Sequence, residues 1–140
     1  MDTNTIGKIT ELKVLTYITE LGYSVSVPFG DKDRYDQIWD INGKLLRIQI
    51  KTSRWKNEQQ KAISFSCKSS YARRNCTKQH MYTKEDIDYF ATYWNNKVYL
   101  IPVEECSAEK TIWFGQPANG CTKCSFAKDY EVEEVLKKIC

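Results

Sequence analysis

The sequence predicts an α/β fold, and three observations carry that prediction. Two strand-like runs flank Asn42-Gly43, the strongest short-range hairpin signal a sequence offers. A second pair of apolar runs flanks Asn95-Asn96. Residues 6–21 and 129–139 carry apolar side chains at helical spacing. At 140 residues the chain reads as one domain, long enough to bury a core.

Residues 6–21 read as an amphipathic helix with Leu12, Val14, Leu15, Ile18 and Leu21 on its apolar side and Gly22 as its stop. Glu11 shares that stripe. A carboxylate there either reaches water at the edge or needs a partner or a metal, because burying it alone is costly. Residues 23–27 form a short strand, with Tyr23, Val25 and Val27 on one face, and residues 28–34 a polar loop.

A two-residue loop fixes the register of the first hairpin, 36–41 with 44–51. If Ile41 faces Lys44, Asp36 lies opposite Gln49. One face then collects Asp36, Ile38, Asp40, Leu45, Arg47, Gln49 and Lys51, and the other Trp39, Ile41, Leu46, Ile48 and Ile50, with Gln37 and Lys44 towards its ends. The second face is core, and the first carries chemistry.

Residues 62–67 alternate as a strand, and residues 69–80, without periodicity, read as a surface loop. Thr83 and Asp86 suit a helical turn. Residues 87–94 and 97–101 form a second hairpin ended by Pro102, apolar enough to be central sheet. A strand at 111–114, a loop at 115–124 and a last helix follow. Asp129 is placed to cap that helix, with Val132, Val135, Leu136 and Ile139 as its stripe.

The net charge of +3 hides a strong division. Between Lys51 and Lys84 stand nine basic residues and one acid, Glu58, a net of +8, while the rest of the chain carries −5. A basic segment on an otherwise acidic domain points to a polyanion, and an ordinary solvated loop is the plainer alternative.

At residues 28–54 the chain resembles the PD-(D/E)XK nuclease superfamily: an Asp on one strand, then Gln-Ile-Lys on its hairpin partner. In that superfamily an Asp and a second acidic residue hold a divalent metal, and the Lys assists the attacking water. Asp36 matches the first position, Gln49 the second and Lys51 the third. Glu11 matches the extra acidic residue that many members carry on a preceding helix. Gln49 departs from the usual Asp or Glu, a variant known among intron-encoded homing endonucleases. The similarity extends over residues 6–102 and is most specific at 28–54.

The resemblance implies a restriction-endonuclease-like fold, a mixed β-sheet flanked by helices with an αβββαβ-type core. It implies a Mg²⁺-dependent DNA endonuclease, with Mn²⁺ as a substitute. Asp36 would be the main metal ligand, Glu11 a second, and the Gln49 amide and Ile50 carbonyl would add oxygens. Lys51 would orient the water or stabilise charge on the phosphate. With an amide at Gln49 the site is less negative than usual, which predicts weaker metal binding. Arg54, Lys56, Lys61, Lys68, Arg73, Arg74 and Lys78 become candidate contacts to double-stranded or branched DNA. A homing endonuclease is the leading expectation, with a Holliday-junction-resolving nuclease or a catalytically decayed DNA-binding module as alternatives. Both nuclease types act on two strands, so a homo-dimer or homo-tetramer is expected.

No run approaches the ~18–20 apolar residues of a membrane span. The N-terminus lacks the basic and apolar regions of a signal peptide, so a cytoplasmic protein with reduced thiols is expected. Cys121-x-x-Cys124 has zinc-ligand spacing. It needs two more ligands from Cys67, Cys76, His80 or Cys106, and simple reduced thiols are the other reading. His80 is not needed as a base by this chemistry.

Overall fold

The first helix starts where Asp2 accepts the Thr5 N–H at 2.8 Å. The computed structural model describes residues 1–30, 33–73, 76–115 and 124–139, with backbone alone over 70–80. Helix α1 (Thr3–Glu20) begins three residues before the first apolar position of its pattern. It ends at Gly22, φ +97°, where the Tyr23 N–H returns to the Ile18 carbonyl. Its buried stripe is Thr10, Val14 and Ile18 rather than the full apolar set. Leu12 is 61% exposed and Leu21 39%, a correction to the expected stripe. Spacing of four, not hydropathy, selects the face: those three side chains stand one above another over the sheet.

Strands β1 (Ser24–Ser26), β2 (Gln37–Ile41) and β3 (Lys44–Ile50) form an antiparallel meander. Ile41 faces Lys44 as the Asn-Gly turn requires, and positive φ at Asn42 (54°) and Gly43 (95°) is the two-residue loop that matches strand twist. The ladder ends at Gln37 opposite Ile48, leaving Asp36 just beyond it. Strands β4 (Arg54–Trp55) and β5 (Ala62–Ser66) follow. Next comes a hairpin of β6 (Lys68–Arg73) and β7 (Cys76–Met81), where the sequence suggested a loop. Thr83 and Asp86 make the expected turn, with the Asp86 carboxylate accepting the Thr83 N–H.

The second hairpin, β8 (Tyr89–Trp94) with β9 (Lys97–Pro102), turns on Asn95 and Asn96, both at positive φ. Strand β10 (Glu109–Trp113) and helix α2 (Val132–Ile139) complete the elements. Asp129 does not cap α2. It lies in a separate 3₁₀ turn at Ala127–Asp129, and the Glu131 carbonyl accepts the Glu134 and Val135 N–H groups.

The central sheet has the order β1-β2-β3-β8-β9, with β3 and β8 parallel and the other pairs antiparallel. Both helices lie on one face, where Val14 and Ile18 meet Trp39, Ile48, Leu100, Val135 and Leu136. The opposite face carries Phe90 and Ile101 against Ile63, Phe65 and Ile112 of the β10-β5-β4 sheet. The expected helical flanks therefore resolve into one helical layer and one layer of sheet. In the αβββαβ pattern a helix takes the crossover between the third and fourth core strands. Here that crossover carries β4–β7 and the Thr83–Asp86 turn.

Candidate active site

The site forms where the β2–β3 ladder gives out. Asp36, freed from pairing, donates its N–H to the Ile48 carbonyl at 2.8 Å and accepts the Ile50 N–H on Oδ2 at 2.9 Å. These two bonds fold its carboxylate back over the end of β3. Lys51 is the next residue, and its N–H donates to the Ala91 carbonyl at 2.9 Å, which pins it between β3 and β8. Glu11 arrives from α1 on the other side, and its carboxyl is hydrogen-bonded to that of Asp36. The sequence placed Glu11, Asp36 and Lys51 in one centre, and the fold brings all three together at one sheet end.

Buried Gln37 fixes the helix to the strand. Its amide N–H donates to the Glu11 carbonyl at 2.9 Å, and its amide oxygen accepts the Trp39 indole N–H at 3.0 Å. Thr10 and Thr52, hydroxyls 3.0 Å apart, tie α1 to the segment after Lys51. The sequence reading missed both contacts, and a polar residue on the core face of β2 was the available signal for Gln37.

Charges at the centre are strongly shifted. Burial, with the adjacent Asp36 carboxyl second, raises Glu11 from 4.5 to about 7. Burial also raises Asp36, opposed by the Ile50 N–H, by its hydrogen bond with Glu11 and by the charge on Lys51. Two carboxyls that share a hydrogen bond cannot both ionise cheaply, so the pair gives up its second proton later than an isolated carboxyl would. Lys51 is lowered by burial, against the pull of Asp36. Its ammonium donates to the Lys68 carbonyl at 2.8 Å and lies 5.4 Å from the Tyr82 ring centre.

Gln49 is half-buried on the face towards Phe90, its register partner in β8, and its amide has no hydrogen-bond partner among the described residues. Ile50 has its side chain in the helix-side core and its N–H on Asp36. Among the candidate DNA contacts, Arg54 and Lys61 are exposed, and Lys68 is half-buried beside the centre. Lys56 is not free for phosphate as expected: it pairs with Glu109 at 3.0 Å, a residue outside the basic run. Lys84 likewise pairs with Glu104 at 2.7 Å. Arg73 and Lys78 sit on β6 and β7 with side chains outside the described set, and Arg74 lies outside the described residues.

Arg34 was read as one more polar loop residue. Its guanidinium packs 4.1 Å from the Tyr82 ring centre, donates to Ser69 Oγ at 2.8 Å and to the Met81 carbonyl at 3.2 Å, and meets Asp86 at 3.5 Å. None of Glu11, Asp36, Gln49 or Lys51 lines the cavity of about 640 Å³ between Trp55, Trp94, Tyr99, Phe114 and Phe126.

Two carboxylates, an amide and a backbone carbonyl make an all-oxygen donor set of the kind a hard divalent cation takes. With the Glu11 and Asp36 carboxyls adjacent and both raised, first by burial, the residues fit such an ion. Among the described residues no three His, Cys, Asp or Glu side chains gather as a metal cluster. The zinc expectation therefore finds no described site. Cys121 lies outside the described residues, Cys124 is half-buried, and Cys67 and Cys106 are free thiols that donate to the Phe65 and Pro102 carbonyls. No described helix is long and apolar enough to cross a membrane.

No curated protein matches the chain. Among solved structures it is similar to a bacterial homing endonuclease, I-Ssp6803I, with a TM-score of 0.77 at 20% identity, covering 99% of this chain and 95% of that one. That likeness establishes a shared fold. The sequence itself matches the model of the PD-(D/E)XK endonuclease family over residues 1–133, a span that includes Glu11, Asp36, Gln49 and Lys51, and the chain belongs to that family of nucleases.

Proposed function

We propose that the protein is a Mg²⁺-dependent DNA endonuclease of the homing type, with Glu11, Asp36, Gln49 and Lys51 as its working residues. The observation that carries this reading is the Glu11–Asp36 carboxyl pair beside the Lys51 ammonium. The likeness to a homing endonuclease and the Gln at the second motif position support the homing type over a junction-resolving one.

A divalent ion bound here supplies positive charge next to the scissile phosphate. Asp36, Glu11, the Gln49 amide oxygen and the Ile50 carbonyl would hold it. Asp36 is aimed by the Ile50 N–H, and Glu11 is held through Gln37 and the helix backbone. Lys51 keeps one ammonium hydrogen on the Lys68 carbonyl, which leaves two donors for the attacking water and a phosphate oxygen. Arg54 and Lys61 contact phosphates along the flanking backbone. Lys56 exchanges Glu109 for phosphate at small cost, since an exposed ion pair is worth about 0–1 kcal/mol. The protein acts as a homo-oligomer, because one chain offers one such centre and a double-strand break needs two.

The test is nicking of supercoiled plasmid and of a synthetic four-way junction with Mg²⁺ or Mn²⁺. Wild type should cut plasmid in preference to junction, while Asp36→Ala and Lys51→Ala lose at least about 10²-fold in rate and keep DNA binding. Gln49→Glu should tighten metal dependence by about tenfold through the added charge. Binding without cleavage by wild type, with cutting restored in Gln49→Glu, would identify a decayed site instead.

A further inference from the structure

The basic hairpin β6–β7 forms a two-stranded sheet of its own, so its placement is decided at its base. There Lys68 pairs with Met81 and Ser69 with His80. Two cations reach that base from the catalytic end of the molecule. Lys51 donates to the Lys68 carbonyl on β6. Arg34 spans both strands, donating to Ser69 Oγ on β6 and the Met81 carbonyl on β7. Between them lies the Tyr82 ring, 4.1 Å from the guanidinium and 5.4 Å from the ammonium, set edge-on against Phe90 at 5.3 Å. Phe90 is the register partner of Gln49. The Arg34 Nε–H is buried with no acceptor among the described residues, so this guanidinium is held by its other contacts against the loss of one bond.

The hairpin, residues 68–81, contains Lys68, Arg73, Arg74 and Lys78 and no acid, which makes it a purely cationic part of the polyanion-facing segment. A strand pair that seats on phosphates while anchored at its root must pass any tilt to whatever grips that root. Here the grips are the ammonium assigned to chemistry and a guanidinium two residues from Asp36. We propose that Arg34 is a positioning residue that makes correct placement of the Lys51 ammonium conditional on the β6–β7 hairpin being seated on DNA. The proposal rests on the nuclease reading above for the role of Lys51. Arg34 itself touches neither the reacting phosphate nor the metal. By joining the two strands at one point it turns engagement of the hairpin into a defined position of the Lys68 carbonyl, and hence of Lys51. Without DNA the ammonium is already held on the Lys68 carbonyl at 2.8 Å, so what seating changes is where that carbonyl stands, and a misplacement of about 1 Å is costly to rate.

The experiment uses the full chain as wild type, Arg34→Ala, Arg34→Lys and Ser69→Ala. Plasmid nicking with Mn²⁺ is measured at saturating protein, and binding to a random-sequence duplex in Ca²⁺. Arg34→Ala should lower the nicking rate by about 10²-fold while affinity changes less than about threefold. Arg34→Lys should recover part of the rate, because it keeps the charge and one hydrogen bond but not the span. Ser69→Ala, which removes one of the Arg34 contacts and the Ser69 bond to Tyr82, should fall between and keeps the test alive if Arg34→Ala does not fold. Amide hydrogen exchange gives a readout free of cleavage. Duplex binding should slow exchange at Ile50 and Lys51 in wild type, and in Arg34→Ala it should protect the hairpin alone. An unchanged nicking rate, parallel loss of affinity and rate as for a phosphate contact, or equal protection at Ile50 and Lys51 in both proteins would overturn the proposal. Where wild type binds and does not nick, the exchange data alone decide whether Arg34 links hairpin and centre, and the Gln49→Glu protein tests the nuclease reading separately.

Discussion

At the scale of single residues, Glu11 sets how the protein answers to pH. Its folded value of about 7 lies above the ordinary 4.5, so between those limits the native state binds more protons than the unfolded chain. Stability of the metal-free protein is therefore fully present below that window and declines as pH rises through it, with raised Asp36 adding in the same direction. A divalent cation reverses the sign, since it needs both carboxylates ionised: binding should tighten up to about pH 7 and release about one proton. Thermal unfolding with and without Mg²⁺ across this range checks both, and Glu11→Gln should flatten the metal-free slope. Asp36 and Lys51 were readable because one turn fixes the register of an entire hairpin, and register fixes which residue ends up at the sheet edge. Arg34 was not, because everything it touches (Ser69, Met81, Tyr82, Asp86) comes from a distant stretch of chain.

Among elements, the joint between α1 and β2 depends on Gln37. Gln37→Leu leaves the indole N–H of fully buried Trp39 unpaired and strips the Glu11 carbonyl of its second donor, at a cost of about 2 kcal/mol. Denaturant unfolding should show that loss, and cleavage should fall further than stability explains because Glu11 is no longer held over Asp36. Both turn-closed hairpins of the central sheet were legible, Asn-Gly and Asn-Asn being the residues that accept positive φ. The β6–β7 hairpin was not. Lys-Ser-Ser-Tyr-Ala-Arg facing Cys-Thr-Lys-Gln-His-Met has no apolar alternation, and Arg74-Asn75 between them lacks a glycine. In α1 hydropathy misled for a related reason: Thr10 is buried through its bonds to the Ile6 carbonyl and Thr52, while Leu12 points outward.

Over the whole molecule, charge and topology coincide. The basic run between Lys51 and Lys84 occupies the crossover from β3 to β8, so the segment rich in cations is also the one outside the central sheet. With Lys84 in its ion pair and Lys56 exchanging Glu109 for phosphate, engagement of about seven phosphates predicts a log–log salt slope for duplex binding of about −6. The double variant Arg54→Ala, Lys61→Ala should reduce the slope by about 2. A slope near zero would return the segment to ordinary solvated surface. The segregation of charge was visible in the sequence. The replacement of a flanking helix by a second sheet was not, because short apolar runs do not declare which layer they cover.

The parallel pairing of β3 with β8 also orders events in time. The β2–β3 hairpin closes locally and early, whereas its catalytic end is completed only when residues 89–94 return across the long crossover. Until then Lys51 lacks the Ala91 carbonyl that holds its backbone. A chain ended after residue 88 should contain Glu11, Asp36, Gln49 and Lys51 and yet show no metal-dependent cutting. On the proposed reading, a growing polypeptide thus carries every group of the candidate site before it carries the strand that completes it.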